Sequence, residues 1–143
     1  MFDIEGTKVG LATCYEAAFD WAVRDTVTHG VQMISVPSNN ATFDRSEMTY
    51  QQLAMSRIRA VEHSRTVTVP VTSGVSAIIL PDGRITQRTG TFVPAYLVQK
   101  VPLRTSTTPA TELGVPPGDR PGAGRRGRHR LGDRLRPARP ACR

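Results

Sequence analysis

The chain has 143 residues, enough for one domain, with 19 basic and 12 acidic residues and a formal net charge of +7. Residues 114–143 hold nine arginines against two aspartates, which equals the whole net charge, so residues 1–113 are electrically balanced. Two cysteines, three scattered histidines and no apolar run of about 18 residues argue against a disulfide framework, a clustered zinc site and a transmembrane span.

The first predicted unit consists of a strand, a helix and a second strand. Residues 8–14 (KVGLATC) are a short apolar run typical of a buried strand. Residues 15–29 (YEAAFDWAVRDTVTH) predict a helix that ends before Gly30, with Trp21 expected in the core. Residues 31–37 (VQMISVP) predict the next strand. Two strands joined by one helix favour a right-handed βαβ unit with parallel strands.

The following elements enlarge this unit into a mixed sheet. A polar loop over 38–46 precedes a helix over 47–64, which Ser46 is expected to cap. The other predicted features are an apolar helix stripe of Leu53, Met55, Ile58 and Val61, a strand over 66–72, a hairpin of strand 75–80, turn 81–83 and a return strand from Arg84, and an extended segment over 91–103. The order predicts an α/β fold with two helices on one side of the sheet. The second face of the strands is also apolar and needs a cover.

The C-terminal segment, residues 114–143, differs in composition from the domain predicted over residues 1–113. It is rich in Gly, Pro and Arg, and its large apolar residues are Val115, Leu131 and Leu135. Such a segment cannot bury enough apolar surface to offset the entropy of ordering, so we predict a disordered basic tail. A tail of this kind could hold RNA or anionic lipid, although no specific nucleic acid is expected. The abrupt change after Leu113 also fits a reading-frame slip in a GC-rich gene.

Cys14 lies at the predicted junction between the first strand and the first helix. A helix N-terminus offers free N–H groups and a partial positive charge, which favour a thiolate and can accept an oxyanion. Glu16 falls in the first helical turn, where a carboxylate suits the helix dipole. A small buried structural cysteine is the commoner explanation of such a residue, so this junction alone does not decide between the two.

Four sequence blocks in order shift the balance toward a nucleophile. CYEAAF, VPSNNATF, QQLAMSRIRAVEHSR and SGVSAIILPDGRI resemble the carbon–nitrogen hydrolase (nitrilase) superfamily over residues 5–114. Within the superfamily they are most similar to the C-terminal part of the catalytic domain in the apolipoprotein N-acyltransferase family. TSGVSAIILPDGRI replaces the aromatic-Gly-small-Ser pattern of soluble relatives, and TTPATELG is similar to the family's link into a final transmembrane helix.

The resemblance implies a fold and a set of site residues. The fold would be part of an α-β-β-α sandwich. Cys14 would be the nucleophile, the Tyr15 backbone N–H an oxyanion donor, and Glu16 a support for the site. The loop residues implied to contact substrate are Ser38, Asn39 and Phe43. Where this chain has Asn40 and Thr42, the family commonly has Asp and Trp, which alters substrate packing.

The resemblance also implies the activity. Complete enzymes of the family transfer an acyl chain from phospholipid to the N-terminal diacylglyceryl-cysteine of lipoproteins through a cysteine thioester, on the outer side of the bacterial plasma membrane and without a cofactor. Their glutamate base and lysine lie far upstream of the cysteine, as do most transmembrane helices, so Glu5 and Lys8 do not take those roles. The chain alone is therefore expected to be inactive. The alternatives are a soluble amidase of the same superfamily and a non-enzymatic basic protein that binds nucleic acid.

Overall fold

A computed structural model describes residues 1–43 and 45–114, so the predicted disorder of residues 115–143 lies outside the described part of the chain. The strands are β1 Phe2–Ile4, β2 Thr7–Leu11, β3 Met33–Ser35, β4 Thr66–Val69, β5 Ala77–Ile79 and β6 Ile85–Arg88. The α-helices are α1 Asp20–Thr28, α2 Met48–His63 and α3 Pro109–Leu113, and short 3₁₀ helices span Cys14–Ala18 and Ala41–Phe43. In the described ranges, no helix has the length and apolar character needed to cross a bilayer.

The six strands form one mixed sheet in the order β1-β2-β3-β4-β5-β6. β2, β3 and β4 are parallel, with Val9 opposite Met33 and Ile34 opposite Val67. The remaining neighbours are antiparallel, including the β5–β6 hairpin. This topology confirms the predicted α/β class and the parallel βαβ unit of β2, α1 and β3.

The core lies between the sheet and the helices α1 and α2. Alternate strand residues point to the helices and are buried: Ile34, Val67, Val69, Ala77 and Ile79. The helix α1 adds Val23 and Val27, which are spaced one turn apart. Gly10 allows this helix to approach β2 closely, because a Cβ at that position would lie 2.8 Å from the Thr26 hydroxyl.

Two predictions about the helix faces are wrong. Trp21 is 64 % exposed instead of being in the core. On α2, Leu53 is buried, but Ile58 and Val61 are more than half exposed. The face of α2 that meets the sheet instead carries mostly small or polar side chains, namely Thr49, Gln52, Leu53, Ser56, Ala60 and His63. Tertiary packing has overridden the hydrophobic pattern here, because loop residues bond to Thr49 and Gln52 and α3 provides a partner for His63.

The second face of the sheet is partly covered by the chain itself. Residues 91–103 form no strand. They cross this face of the sheet, where strand side chains donate hydrogen bonds to their carbonyl groups. Gln87 Nε2 donates to the Val98 carbonyl at 3.1 Å, and Thr66 Oγ1 donates to the Pro102 carbonyl at 2.9 Å. The extended segment predicted from the sequence therefore supplies some of the cover that the strands require.

Candidate active site at the carboxyl ends of the parallel strands

The predicted first strand and helix differ from the structure near Cys14. β2 ends at Leu11, three residues before the cysteine. Cys14 begins a five-residue 3₁₀ helix, Phe19 is extended, and α1 starts only at Asp20. Cys14 therefore does not lie at the N-terminus of an α-helix as predicted, since α1 begins six residues later. The first N–H groups of the 3₁₀ helix still lack an intrahelical acceptor, so the Tyr15 N–H remains a candidate oxyanion donor.

Cys14 has a left-handed backbone conformation, with φ +53°. This conformation costs a non-glycine residue roughly 1–2 kcal/mol and persists only where surrounding contacts hold it. One such contact is the Cys14 N–H, which donates to the Pro37 carbonyl at 2.9 Å. The residue is partly exposed and forms no disulfide within the described residues 1–43 and 45–114. A cysteine that is partly exposed and held in a strained conformation at a strand-to-helix turn has the geometry expected of a catalytic nucleophile.

The carboxylate of Glu16 holds the turn in place. Its Oε2 accepts the Thr13 N–H at 2.6 Å, and the Glu16 N–H donates to the Thr13 carbonyl at 3.0 Å. These two bonds close the turn on either side of Cys14. Glu16 is thus engaged with the main chain that carries the cysteine.

A cleft of about 480 Å³ opens beside this turn. Its walls are Thr13, residues 37–39 and residues 70–72, which follow β2, β3 and β4 respectively. Ligands of α/β sheets bind preferentially outside the carboxyl ends of parallel strands. A larger hollow of about 590 Å³ lies between α2 and the turn at Gly83, but Cys14 is not among the residues that line it.

The three residues predicted to contact substrate occupy different positions. Ser38 lines the cleft, yet its Oγ accepts a hydrogen bond from Gln52 Nε2 at 2.6 Å. Asn39 also lines the cleft, and its Oδ1 accepts the Thr72 hydroxyl at 2.9 Å. Phe43 is partly buried at the end of the second 3₁₀ helix, outside the residues that line the cleft. Substrate contact by all three stays a prediction.

Behind the cleft, a buried polar layer joins the loops to α2. Asn40 is 1 % exposed, and its Nδ2 donates to Thr49 Oγ1 at 3.0 Å. The same hydroxyl oxygen accepts the Val75 N–H at 3.1 Å. The position where the resemblance leads one to expect Asp therefore holds an amide that donates within the protein. Ser46 does not cap α2 as predicted, since Glu47 precedes the helix without a side-chain cap.

A second polar cluster lies between the helices. Arg59 Nη1 is 2.7 Å from Glu62 Oε2 and 3.5 Å from Asp20 Oδ1. Burial raises the pKa of Glu62, and the charge of Arg59 opposes that shift. Ligand atoms of Asp20, Glu62 and His63 lie within 4.8 Å of one another, but the Arg59 guanidinium already provides both carboxylates with a cation.

A histidine in the last turn of a helix can stabilise the helix dipole as a cation, but His63 of α2 does not have this role. The side chain is fully buried, and its Nδ1 lies 3.0 Å from Thr111 Oγ1 on α3. Burial, followed by the nearby charge of Arg59, lowers the pKa of His63 to about 4. The imidazole is consequently neutral near pH 7, and no favourable interaction with the helix dipole arises.

Sequence reasoning also missed Gln52 and Arg65. Both are almost fully buried although their residue types are usually exposed. Arg65 donates through Nε to the Val31 carbonyl at 2.9 Å and through Nη1 to the Ser106 carbonyl at 2.8 Å. The one local signal was the position of Gln52, which falls on the same helical face as the buried Leu53 and Ser56.

Several known proteins are similar to this chain in sequence. The sequence model of the carbon–nitrogen hydrolase family matches residues 1–108. The chain is 51 % identical over 109 residues to an apolipoprotein N-acyltransferase of Mycolicibacterium smegmatis, which covers 76 % of this chain and 18 % of that protein. It is 33 % identical over 105 residues to apolipoprotein N-acyltransferase 1 of Treponema pallidum, covering 73 % and 19 %. The chain thus spans about a fifth of the length of these relatives.

Solved structures show the same fold at lower identity. An amidase from Nesterenkonia has a TM-score of 0.51 and 24 % identity, with 63 % of this chain and 37 % of that one covered. The nitrilase-superfamily protein Nit3 of Saccharomyces cerevisiae has a TM-score of 0.52 and 20 % identity, with 59 % and 34 % covered. The matched regions are about a third of those chains, as expected for part of a nitrilase-type sandwich.

Proposed function

The chain belongs to the carbon–nitrogen hydrolase family, and on that basis we propose that it is the nucleophile-bearing part of an apolipoprotein N-acyltransferase. The observation that carries the proposal is the left-handed Cys14 beside a cleft at the carboxyl ends of β2, β3 and β4. The 51 % identity to the Mycolicibacterium smegmatis enzyme indicates which chemistry within the family this cysteine serves.

The proposed reaction has two steps. The Cys14 thiolate attacks the ester carbonyl of a phospholipid, the ester C–O bond breaks, and a lysophospholipid leaves with a proton. The α-amine of a diacylglyceryl-cysteine at a lipoprotein N-terminus then attacks the thioester, which yields an amide and returns the thiol. This route is covalent catalysis, and it balances without a metal or an organic cofactor.

The site residues have distinct roles in this proposal. The Tyr15 N–H donates to the oxyanion that forms when the sulfur attacks the carbonyl. Glu16 acts on the geometry of the turn, because its carboxylate is bonded to the Thr13 N–H. Ser38 and Asn39 form the cleft wall. Phe43, on the following 3₁₀ helix outside the cleft lining, is proposed to contact a part of the substrate that extends beyond the cleft.

The general base and the oxyanion-stabilising lysine come from residues outside this chain in our proposal. Glu5 and Lys8 are the Glu and Lys that precede Cys14, and they lie in the β1–β2 turn and at the start of β2. Cys14 follows the opposite end of that strand, and four steps of about 3.3 Å place the two ends roughly 13 Å apart. That distance supports withholding both catalytic roles from Glu5 and Lys8.

The partners and location follow from the same proposal. The complete enzyme would bind a phospholipid acyl donor and a lipoprotein N-terminus, and transmembrane helices of its N-terminal half would hold it at the bacterial plasma membrane with the site on the outer side. No observation favours the amidase alternative, because the solved Nesterenkonia amidase is less than 25 % identical and shows the fold alone. The nucleic-acid alternative depends on the tail, which lies outside the described residues.

A segment exchange tests the proposed function. Residues 1–114 would replace the matching segment of the Mycolicibacterium smegmatis enzyme, and N-acylation of a lipoprotein would be followed by mass spectrometry. We expect the chimaera to acylate, Cys14→Ala to abolish acylation, and His29→Ala at the exposed end of α1 to leave it unchanged. A folded chimaera without acylation, beside an active parent enzyme, would contradict the proposal.

A further inference from the structure

Gln52 lies on the buried face of α2 and reaches the loop next to Cys14. The side chain is 4 % exposed, and its Nε2 donates to Ser38 Oγ at 2.6 Å. Ser38 is itself 8 % exposed. A buried side chain of the helix layer is thus bonded directly to the cleft wall.

The main chain around Ser38 links this bond to the nucleophile. The Pro37 carbonyl, directly before Ser38, accepts the Cys14 N–H at 2.9 Å. The Ser38 N–H donates to the Pro70 carbonyl at 3.0 Å, and the Thr72 N–H donates to the Ser38 carbonyl at 3.3 Å. The peptide units on both sides of Ser38 therefore hold the ends of all three parallel strands. Because Gln52 holds the Ser38 side chain, it also limits the movement of the adjacent Pro37 carbonyl, which accepts the Cys14 N–H.

A role in packing alone does not account for glutamine at this position. Its Oε1 is buried and has no hydrogen-bond partner among the described residues. An unpartnered buried acceptor destabilises a folded protein, whereas an apolar side chain of similar length would fill the space without that cost. The amide group of Gln52 is therefore used as a donor. Its Nε2 bonds to Ser38, which directly follows the Pro37 carbonyl that accepts the Cys14 N–H.

The left-handed turn explains why such a restraint is needed. A non-glycine residue at φ +53° returns to an ordinary conformation unless its surroundings hold it. A nucleophile that is displaced by a small distance loses rate steeply. We propose that Gln52 is a positioning residue, which holds the Pro37–Ser38 segment through Ser38 Oγ and thereby keeps Cys14 in its left-handed turn at the cleft.

This inference deepens the proposed function and rests on it only for the purpose of the turn. The test is residue-resolved amide hydrogen exchange on the full 143-residue chain. The variants are Gln52→Met, which keeps the side-chain length and removes the donor, Ser38→Ala, and the two combined. Ser56→Ala is the matched control, because its buried hydroxyl bonds to the Gln52 main-chain carbonyl and not to the loop.

We expect Gln52→Met to speed exchange of the Cys14 amide by about tenfold, while the Ile34 and Val67 amides of the central strands keep their rates. Ser38→Ala should have the same effect, and the double variant should add nothing further, since both changes break one link. Ser56→Ala should leave the Cys14 amide unchanged.

Three results would overturn the inference: an unchanged Cys14 amide in Gln52→Met, equal acceleration of Cys14, Ile34 and Val67, or additive effects in the double variant. None of these readouts requires acyl transfer. An inactive chimaera with the expected exchange pattern would refute the proposed function alone. An active chimaera with an unchanged Cys14 amide would refute only the role of Gln52.

Discussion

His63 Nδ1 on α2 lies 3.0 Å from Thr111 Oγ1 on α3, and both side chains are fully buried. The contact joins residues 48 positions apart and attaches the short last helix to the helix layer. Arg24 of α1 strengthens the same junction through the Thr111 carbonyl, at 2.6 Å from its Nε. The packing of α3 therefore depends on a neutral imidazole in a polar, buried contact.

Protonation of His63 should destabilise the fold. Its pKa is about 4 in the folded chain against 6.5 in the unfolded one, so the unfolded state binds more protons between these values. The contribution of neutral His63 to the free energy of unfolding is therefore fully present above pH 6.5. It falls as the pH drops toward 4, by at most about 3 kcal/mol. The raised pKa of Glu62 acts in the opposite direction over its own range and reduces the net slope. Urea unfolding at pH 7.5, 5.5 and 4.5 measures this loss.

The matched variants for this pH dependence are His63→Gln and His29→Gln. His63→Gln should flatten the dependence of the unfolding free energy on pH, because glutamine does not titrate in this range. His29 lies on the exposed end of α1, and its replacement should leave the slope as in the parent chain. An identical slope in His63→Gln would show that another group controls the acid response.

Replacing Thr111 with valine should loosen α3. The change keeps the shape of the side chain but removes the oxygen beside His63 and the partner of Thr108 Oγ1 at 2.9 Å. A buried imidazole nitrogen without its partner costs about 1–3 kcal/mol, and we expect faster amide exchange across residues 110–113. Glu112→Ala is the control, because its side-chain bond to Thr107 is exposed. Equal exchange in the two variants would refute the role of this contact.

Gly74→Ala should disrupt the polar layer behind the cleft. A Cβ at Gly74 would lie 2.5 Å from Asn40 Nδ2 and would also meet Thr49 Oγ1. Crowding of a packed site typically costs about 1–3 kcal/mol, so the midpoint of thermal unfolding should fall. Gly90→Ala meets its nearest atom at an ordinary 3.5 Å and should change the midpoint little. The idea fails if both alanine variants melt at the same temperature.

The chain alone should not turn over. A general base contributes about 10²–10⁴-fold to rate, and one oxyanion donor about 10²–10³-fold, and Glu5 and Lys8 lie at the wrong end of β2 to provide them. Incubation with phospholipid and a lipopeptide should therefore give no multiple turnover. Turnover that Cys14→Ala abolishes would contradict this expectation. Glu5→Gln and Lys8→Met would then show whether these two residues act.

Local sequence patterns determined much of the framework. The apolar runs at residues 8–14 and 31–37 predicted two parallel strands, which the structure has as the shorter β2 and β3, and α2 matches its predicted span within one residue at each end. The turn at Asp82-Gly83 was predictable because Asp and Gly favour turns by residue type. In the structure Gly83 has φ +80°, and Asp82 Oδ1 accepts the Arg84 N–H. Cys14 could be singled out for the same reason, since its position after an apolar run is a local property.

Only the tertiary structure decided which polar side chains are buried and what holds the site. The break at Phe19 that separates Cys14 from α1 has no local breaker residue to announce it. His63 and Arg65 are read as exposed cations by residue type, yet their partners Thr111 and Ser106 lie 48 and 41 positions away. Burial of a polar group is favourable only when a partner meets it in space. A linear pattern cannot specify such meetings, because they depend on how the loops and helices pack on the sheet.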